Sequence, residues 1–457
     1  MMLLNFFTKG LGSLSLLTII INFYEPASIT LFNIFLTFIT SFFIVDFGFG
    51  QTFSRLISQQ FLSNINNTDH LNYTQYNSSK ALKEQLLIYS IKKIYIYLTI
   101  IFFLLISIFG TWAVSNPINQ LSDTKYAWIA WIVIVFGASI LMYLNQFNSI
   151  SIGLNLIAKK NRYESYILAL SFIIQILFAL MQINLLYIIS VNILSLILVG
   201  YINYRLIKAY GFNFNINNKN IDLNFSAFRN AIVKMSMNSG IGIIFQLGLY
   251  YFLSIFIANS YNPNTSSMLL SIHRYIQGIS SISRVFFYSK IPLINSSFIN
   301  RDMFIFHKII KRGMFLSNIL YIVFVLITFK IFHLFNDQNY SYAINYFLIL
   351  TIATYLERYG AMHLQVYTAT NKIIWHKANF VSSIIPVLLI ISFERNYGYM
   401  FIPFSLLVGY TFYSIYCRYY SQMILEKYFI KFEFGYIFPF LLTLVFFGFL
   451  ILISEFL

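Results

Sequence analysis

The sequence predicts an all-α fold, a polytopic transmembrane helical bundle of two six-helix lobes in pseudo-symmetric arrangement with an additional C-terminal helix. Three observations lead there. Apolar stretches of about twenty residues recur roughly every thirty residues from Leu3 to Leu457. At ~1.5 Å rise per residue, each is long enough to cross a hydrocarbon core ~30 Å thick. The composition agrees: mean hydropathy is +0.72, 59% of residues are hydrophobic and only 10% are charged, against about 25% in ordinary soluble domains. The 30 Lys and Arg residues also crowd into alternate connections. A transmembrane β-barrel is excluded, because its strands are ~10 residues long and alternate in polarity, whereas these runs are continuous.

In chain order the predicted spans are Leu3–Phe23, Ala27–Gly50, Ile91–Val114, Tyr126–Phe147, Ser165–Asn184, Leu185–Tyr204, Met235–Ala258, Ser266–Pro292, Met314–Phe332, Tyr342–Thr368, Ala378–Phe393, Phe401–Tyr420 and Tyr436–Ile453. The first reads as a retained signal anchor, since no small-residue cleavage site follows Lys9. With the N-terminus in the cytoplasm, cytoplasmic segments carry 23 Lys and Arg, and the opposite face carries Lys125, Lys330 and Arg395. That asymmetry fixes a multi-pass orientation with the N-terminus inside. It also accounts for the net charge of +16, so nucleic-acid binding is not needed to explain it.

Two polar connections, Phe61–Lys83 and Ile207–Lys234, are rich in Asn, Ser and Tyr and read as solvated linkers. The second divides the chain into an N-terminal lobe (1–206), a basic connector (207–234), a C-terminal lobe (235–432) and an additional helix (433–457). Internal repeats of this kind are how many transporters are built. A faint echo agrees: Ala158, Lys159, Lys160, Asn161 and Arg162 follow the fourth span, and Ala369, Thr370, Asn371 and Lys372 follow the tenth.

Motif chemistry is sparse. There is no HExxH, Walker glycine loop, GxSxG or paired metal-ligand spacing, and the single Cys417 excludes an intrachain disulfide. No catalytic residue, resident cofactor or metal is expected. The informative residues are polar groups inside spans, where a charge costs ~3 kcal/mol even on lenient insertion scales. The eighth span carries Arg274, Gln277, Ser281, Arg284 and Tyr288 at spacings of three, four, three and four, which is one helix face. Either this stripe lines an aqueous cavity or its two arginines snorkel to opposite interfaces; the unbroken polarity favours the cavity. The tenth span repeats the pattern with Thr351, Thr354, Arg358, Gln365 and Thr368. Milder stripes are Ser15, Thr18 and Asn22 in the first span and Ser139, Tyr143, Gln146 and Ser149 in the fourth.

The intramembrane charges are Asp46, Arg55, Arg274, Arg284, Glu357 and Arg358, four positive against two negative. A cationic interior favours an anionic group, and guanidinium forks suit a phosphate or diphosphate through bidentate hydrogen bonds. Glu357 and Arg358 either neutralise each other locally or point apart, since adjacent residues diverge by ~100° around a helix. His273 is either a hydrogen-bonded packing residue or a proton carrier. Asp46, Glu357 and His273 are the candidates for coupling to a proton or sodium gradient.

Around Asp46 the reading sharpens. Phe43 to Arg55 forms an apolar helix interrupted by Asp46, Gly48 and Gly50, after which an amphipathic piece runs to Gln60. This resembles the end of the second helix in the polysaccharide transport family, the O-antigen flippases of the multidrug and oligosaccharidyl-lipid exporter superfamily. The turn at Tyr24, Glu25 and Pro26, the basic turns after the fourth and tenth spans, and the ending Lys290, Ile291, Pro292 are similar to that family as well. A thirteenth span departs from it, twelve or fourteen being more familiar. The resemblance implies a substrate and partner: a polyprenyl-diphosphate-linked oligosaccharide, an O-antigen or capsule repeat unit, moved to the outer leaflet of the lipid bilayer by alternating access, alongside other polysaccharide-assembly membrane proteins. Two rivals remain. A membrane-bound polysaccharide polymerase would carry a long outer loop with arginines, and Ser115–Lys125 is short with none. A multidrug antiporter would offer acids to cationic drugs.

Overall fold

The computed structural model describes residues 2–58, 76–210, 222–334, 339–369 and 374–427. All of its regular elements are helical. In chain order they are α1 (Met2–Phe23), α2 (Pro26–Thr40), α3 (Phe42–Val45), α4 (Phe49–Ile57), α5 (Tyr76–Leu105), a π-helical turn (Ile106–Gly110), α6 (Thr111–Asn119), α7 (Thr124–Gly153), α8 (Ile157–Leu180), α9 (Leu185–Ala209), α10 (Asp222–Ser260), α11 (Pro263–Ser283), α12 (Val285–Tyr288), α13 (Ile291–Ile299), α14 (Met303–Leu334), α15 (Asn339–Thr368), α16 (Trp375–Tyr397) and α17 (Phe401–Lys427). The first twelve predicted spans each map onto one of these helices or a consecutive group. The thirteenth lies outside the described residues.

The apolar runs become helices because in lipid every backbone amide must be satisfied within its own segment. Among the described residues, eight spans are long and apolar enough to cross a membrane by themselves. Helices α11 and α15, which carry the two stripes with arginines, are not among those eight, and neither is α17. Two expectations are corrected. Helix α5 begins at Tyr76 and α10 at Asp222, so the ends of both polar connections are helical. Polar residues such as Lys, Glu and Gln are good helix formers, and the helices extend past their apolar cores. The eighth span is also not one helix to Pro292; it breaks at Arg284 and again at Ser289 and Lys290.

That break has a counterpart in the first half. Helix α2 is followed by a four-residue helix and then a nine-residue helix, and α11 is followed by a four-residue and a nine-residue helix. The linking residues match: Ser41 sits at φ −65°, ψ −18° and Arg284 at φ −68°, ψ −19°. Secondary structure thus carries the repeat more clearly than sequence does.

The described residues form two compact units. The first comprises Ile19–Leu247 with Tyr251–Pro263. Its helices cross at glycines, where small residues let backbones approach closely. A Cβ on Gly137 would lie 2.4 Å from Ile193 and one on Gly200 2.8 Å from Leu144, joining α7 to α9. Trp131 stacks on Phe35, meets Phe38 edge-on at 5.0 Å and donates its indole N–H to Thr111 at 2.9 Å. The second unit comprises Met2–Thr18, Gly248–Tyr250 and the described residues from Asn264 onward. Here Gly360 lets α15 approach Tyr413 and Ser414 of α17, and Gly409 receives the Pro386 ring of α16. Helix α1 lies against α11, with Gly10 facing Ile282, Gly278 facing Leu14, and the Thr18 and Tyr275 hydroxyls 2.6 Å apart.

Candidate functional site

The two breaks are where the charges sit. In the first unit, Asp46 ends α3, Phe47 takes φ 47° and Gly48 takes φ 73°. Left-handed backbone is easy for glycine and costly for phenylalanine. The chain holds this turn because α10 lies directly on it: a Cβ on Gly240 would come within 2.5 Å of the Phe47 carbonyl oxygen. The buried Asp46 carboxylate then ties three segments together. Its Oδ1 accepts from the Tyr95 hydroxyl at 2.7 Å and from Asn145 Nδ2 at 3.0 Å, while Oδ2 accepts the Gly50 amide at 3.0 Å. Tyr95 and the Ser149 hydroxyl lie 3.2 Å apart. All of Asp46's partners are neutral. Arg55, nine residues further along the chain, is exposed on α4 and is not one of them.

In the second unit the break carries a guanidinium. Arg284 stands between α11 and α12 and donates through Nη2 to Glu357 Oε2 of α15 at 2.9 Å. It also donates through Nε and Nη2 to the Ser280 hydroxyl, at 3.1 and 2.8 Å. The Arg284 side chain keeps 24% of its surface accessible while Glu357 keeps 8%, so the pair is closed on the acid's side and open on the arginine's. Glu357 therefore pairs with Arg284 and not with its sequence neighbour Arg358, as the ~100° divergence of adjacent residues requires. Arg358 is 1% exposed, donates to the Ser317 carbonyl at 3.1 Å and lies over the Tyr321 ring at 4.4 Å.

Beside the ion pair is a small cavity lined by Tyr250, His273, Ile276, Gln277, Leu350, Thr354, Leu406 and Tyr410. Four helices contribute to it: α10, α11, α15 and α17. Tyr250 and Tyr410 are hydrogen-bonded to each other, and Tyr288 is hydrogen-bonded to Gln365. His273 is buried, with Nε2 2.7 Å from the Tyr346 hydroxyl. Arg274 is half-buried on α11, and Ser281 is exposed.

The structure thus brings together Gln277, Arg284, Glu357, His273, Tyr288 and Gln365 in one unit, and places Asp46 and Arg55 in the other. Sequence reasoning missed Ser280, Tyr250 and Tyr410. Ser280 was legible, because it precedes Arg284 by four and four-apart residues share a helix face; the chosen Ser281 is three away and points elsewhere. The tyrosines gave no signal among 35 in the chain.

Solved structures cover almost the whole chain. An inward-facing multidrug resistance transporter of the MATE family, in the MOP superfamily, matches at a TM-score of 0.63 over 94% of this chain and 96% of its own, with 12% identity. The fold is that of the MATE transporters. An outward-facing MATE transporter matches at a TM-score of 0.59 over 94% of each chain, again at 12% identity. A MOP superfamily transporter from Pyrococcus furiosus, described as having a binding pocket of reverse polarity that suggests a different function, matches at 0.53 with 13% identity over 93% of this chain and 94% of its own. In sequence no protein-family profile and no curated protein matches. The MATE fold makes the protein a polytopic helical bundle; at these identities the likeness speaks for architecture alone.

Proposed function

We propose that the protein is a flippase of the inner membrane that moves a polyprenyl-diphosphate-linked oligosaccharide from the cytoplasmic to the outer leaflet by alternating access within the MATE fold. The observation that carries this reading is the polarity of the second unit's interior. Its one buried acid among the described residues, Glu357, is engaged by Arg284, whose side chain keeps 24% of its surface accessible. Arg274 adds a second half-buried cation on the same helix. An interior whose one buried acid is already engaged by an arginine, and which carries further guanidinium groups, suits an anionic diphosphate better than a cationic drug.

The multidrug resistance transporters among the structural neighbours favour the rival, drug export. One variant set separates the readings. Arg284→Ala alone leaves Glu357 unpaired, which is strongly destabilising for buried ions, so the informative variant is Arg284→Ala with Glu357→Gln. Under the flippase reading this double variant reaches the membrane at normal levels yet loses surface glycan, and Arg284→Lys, which keeps charge without the fork, retains part of it. Restoration of glycan export by the double variant would make the arginine a structural partner only. Loss of drug resistance with intact surface glycan would favour the multidrug rival.

A further inference from the structure

Arg358 poses a problem that the substrate reading does not absorb. It is 1% exposed, and its neighbouring carboxylate, Glu357, is occupied by Arg284 2.9 Å away. Its own contacts are one backbone carbonyl and one aromatic face. A guanidinium carries five N–H donors and no acceptor, and here Nε and Nη1 have no protein partner. On α14 Arg358 meets the Ser317 carbonyl and the Tyr321 ring, and Asn318 lies between them in sequence, within one turn of both. The Ser317 hydroxyl and both side-chain atoms of Asn318 are likewise buried without a protein partner. The Tyr321 hydroxyl is already used, donating to the Thr351 carbonyl at 2.8 Å.

Buried polar atoms are rarely left unsatisfied, and a cluster of them calls for an occupant. The cluster here is rich in donors: two from Arg358, the serine hydroxyl and the asparagine amide. It also carries a full positive charge with no acid of its own. Water would satisfy the hydrogen bonds but leave the charge uncompensated in a membrane span, where an unpaired ion is most costly. We propose that Arg358, Asn318 and Ser317 form a buried site for a small monovalent anion of the halide class, held between α14 and α15 as the counter-ion of Arg358. The site is independent of the substrate reading and would persist if the transported molecule were a drug.

The test is thermal and uses purified full-length protein in detergent, so it does not depend on any transport assay. Unfolding temperatures are measured at constant ionic strength while chloride replaces gluconate, with bromide as a second halide. A ligand that binds only the folded state stabilises it by mass action, so wild type should show a saturable rise of roughly 3 to 5 °C at a hundredfold excess over Kd. Asn318→Leu keeps the branched shape and removes two of the polar atoms, and its halide-dependent rise should be lost or displaced at least tenfold in concentration. Arg358→Met, where it folds, should show no rise at all. Bromide should give an anomalous scattering peak beside the Arg358 guanidinium in crystals. Identical unfolding in chloride and gluconate would mean that water alone fills the cluster, and an equal rise in wild type and Asn318→Leu would place the ion elsewhere. Either result overturns the proposal.

Discussion

Asp46 shows how a single carboxylate is held in a membrane span without a cation. Two side-chain donors and one backbone amide converge on it, and hydrogen bonds to an ionised acceptor are about twice as strong as neutral ones. Asp46→Asn turns the oxygen that receives the Gly50 amide into a second donor, so one bond is replaced by repulsion. We expect a loss of about 1 to 3 kcal/mol of stability, read as a lower unfolding temperature, with flux in liposomes still responding to an imposed pH gradient. An Asn variant of wild-type stability that no longer responds would make Asp46 the coupling group. Tyr95→Phe removes one donor and leaves the others, and its unfolding temperature should fall between those of wild type and Asp46→Asn. Residue by residue, legibility followed chemistry. Charges in apolar runs announce themselves, which is why Asp46, Arg284 and Glu357 could be singled out. Their partners could not be, because Tyr95, Asn145 and Ser280 are ordinary residues whose importance comes from tertiary proximity.

At the scale of elements, the second helix of each half is broken twice at matching intervals. Only one of these breaks could be read in sequence. Gly48 and Gly50 mark the first-half turn, whereas Ser283, Arg284 and Val285 contain neither glycine nor proline and would continue a helix by propensity alone. There the break goes with tertiary contacts: Val285 and Phe287 are buried, Phe287 within the core that includes Ile310, Met314 and Met362, while Arg284 is held on Glu357 and Ser280. The first-half turn, by contrast, depends on bare backbone. Gly48→Ala must take φ 73° and would meet Ser239 at 2.8 Å, and Gly240→Ala would meet Phe47 at 2.5 to 2.6 Å. Each should cost about 1 to 3 kcal/mol, and the double variant should lose less than the sum, since both disturb one contact. Thermal unfolding of the two single variants and the double variant measures that difference.

For the whole molecule, the spacing of apolar runs was enough to read the fold class, because length and hydropathy are the quantities a bilayer selects on. Orientation remains a proposal with a direct check. Single cysteines at Asn66 and Asn218 should react with an impermeant thiol reagent only from the cytoplasm, and one at Asn119 only from outside. The native Cys417 is buried and should contribute little background. Labelling of Asn218 from the outside would invert the second half and with it the repeat.

The polar spans α11, α15 and α17 have a further consequence, which concerns how the chain enters the bilayer. A span is released sideways into lipid during synthesis when its own transfer free energy is favourable, and these three fall short of the hydropathy that eight others reach. Ser280, Arg284 and Glu357 are acceptable in hydrocarbon only once they have found one another. Assembly must therefore be partly ordered: α11 has to wait beside the insertion channel until α15 arrives, some fifty residues of synthesis later. Fused singly to a reporter that scores insertion, α11 and α15 should fail where α7 succeeds, and a fragment carrying α11 through α15 should rescue both. The residues that pair across this interior are then the same ones that make its birth cooperative.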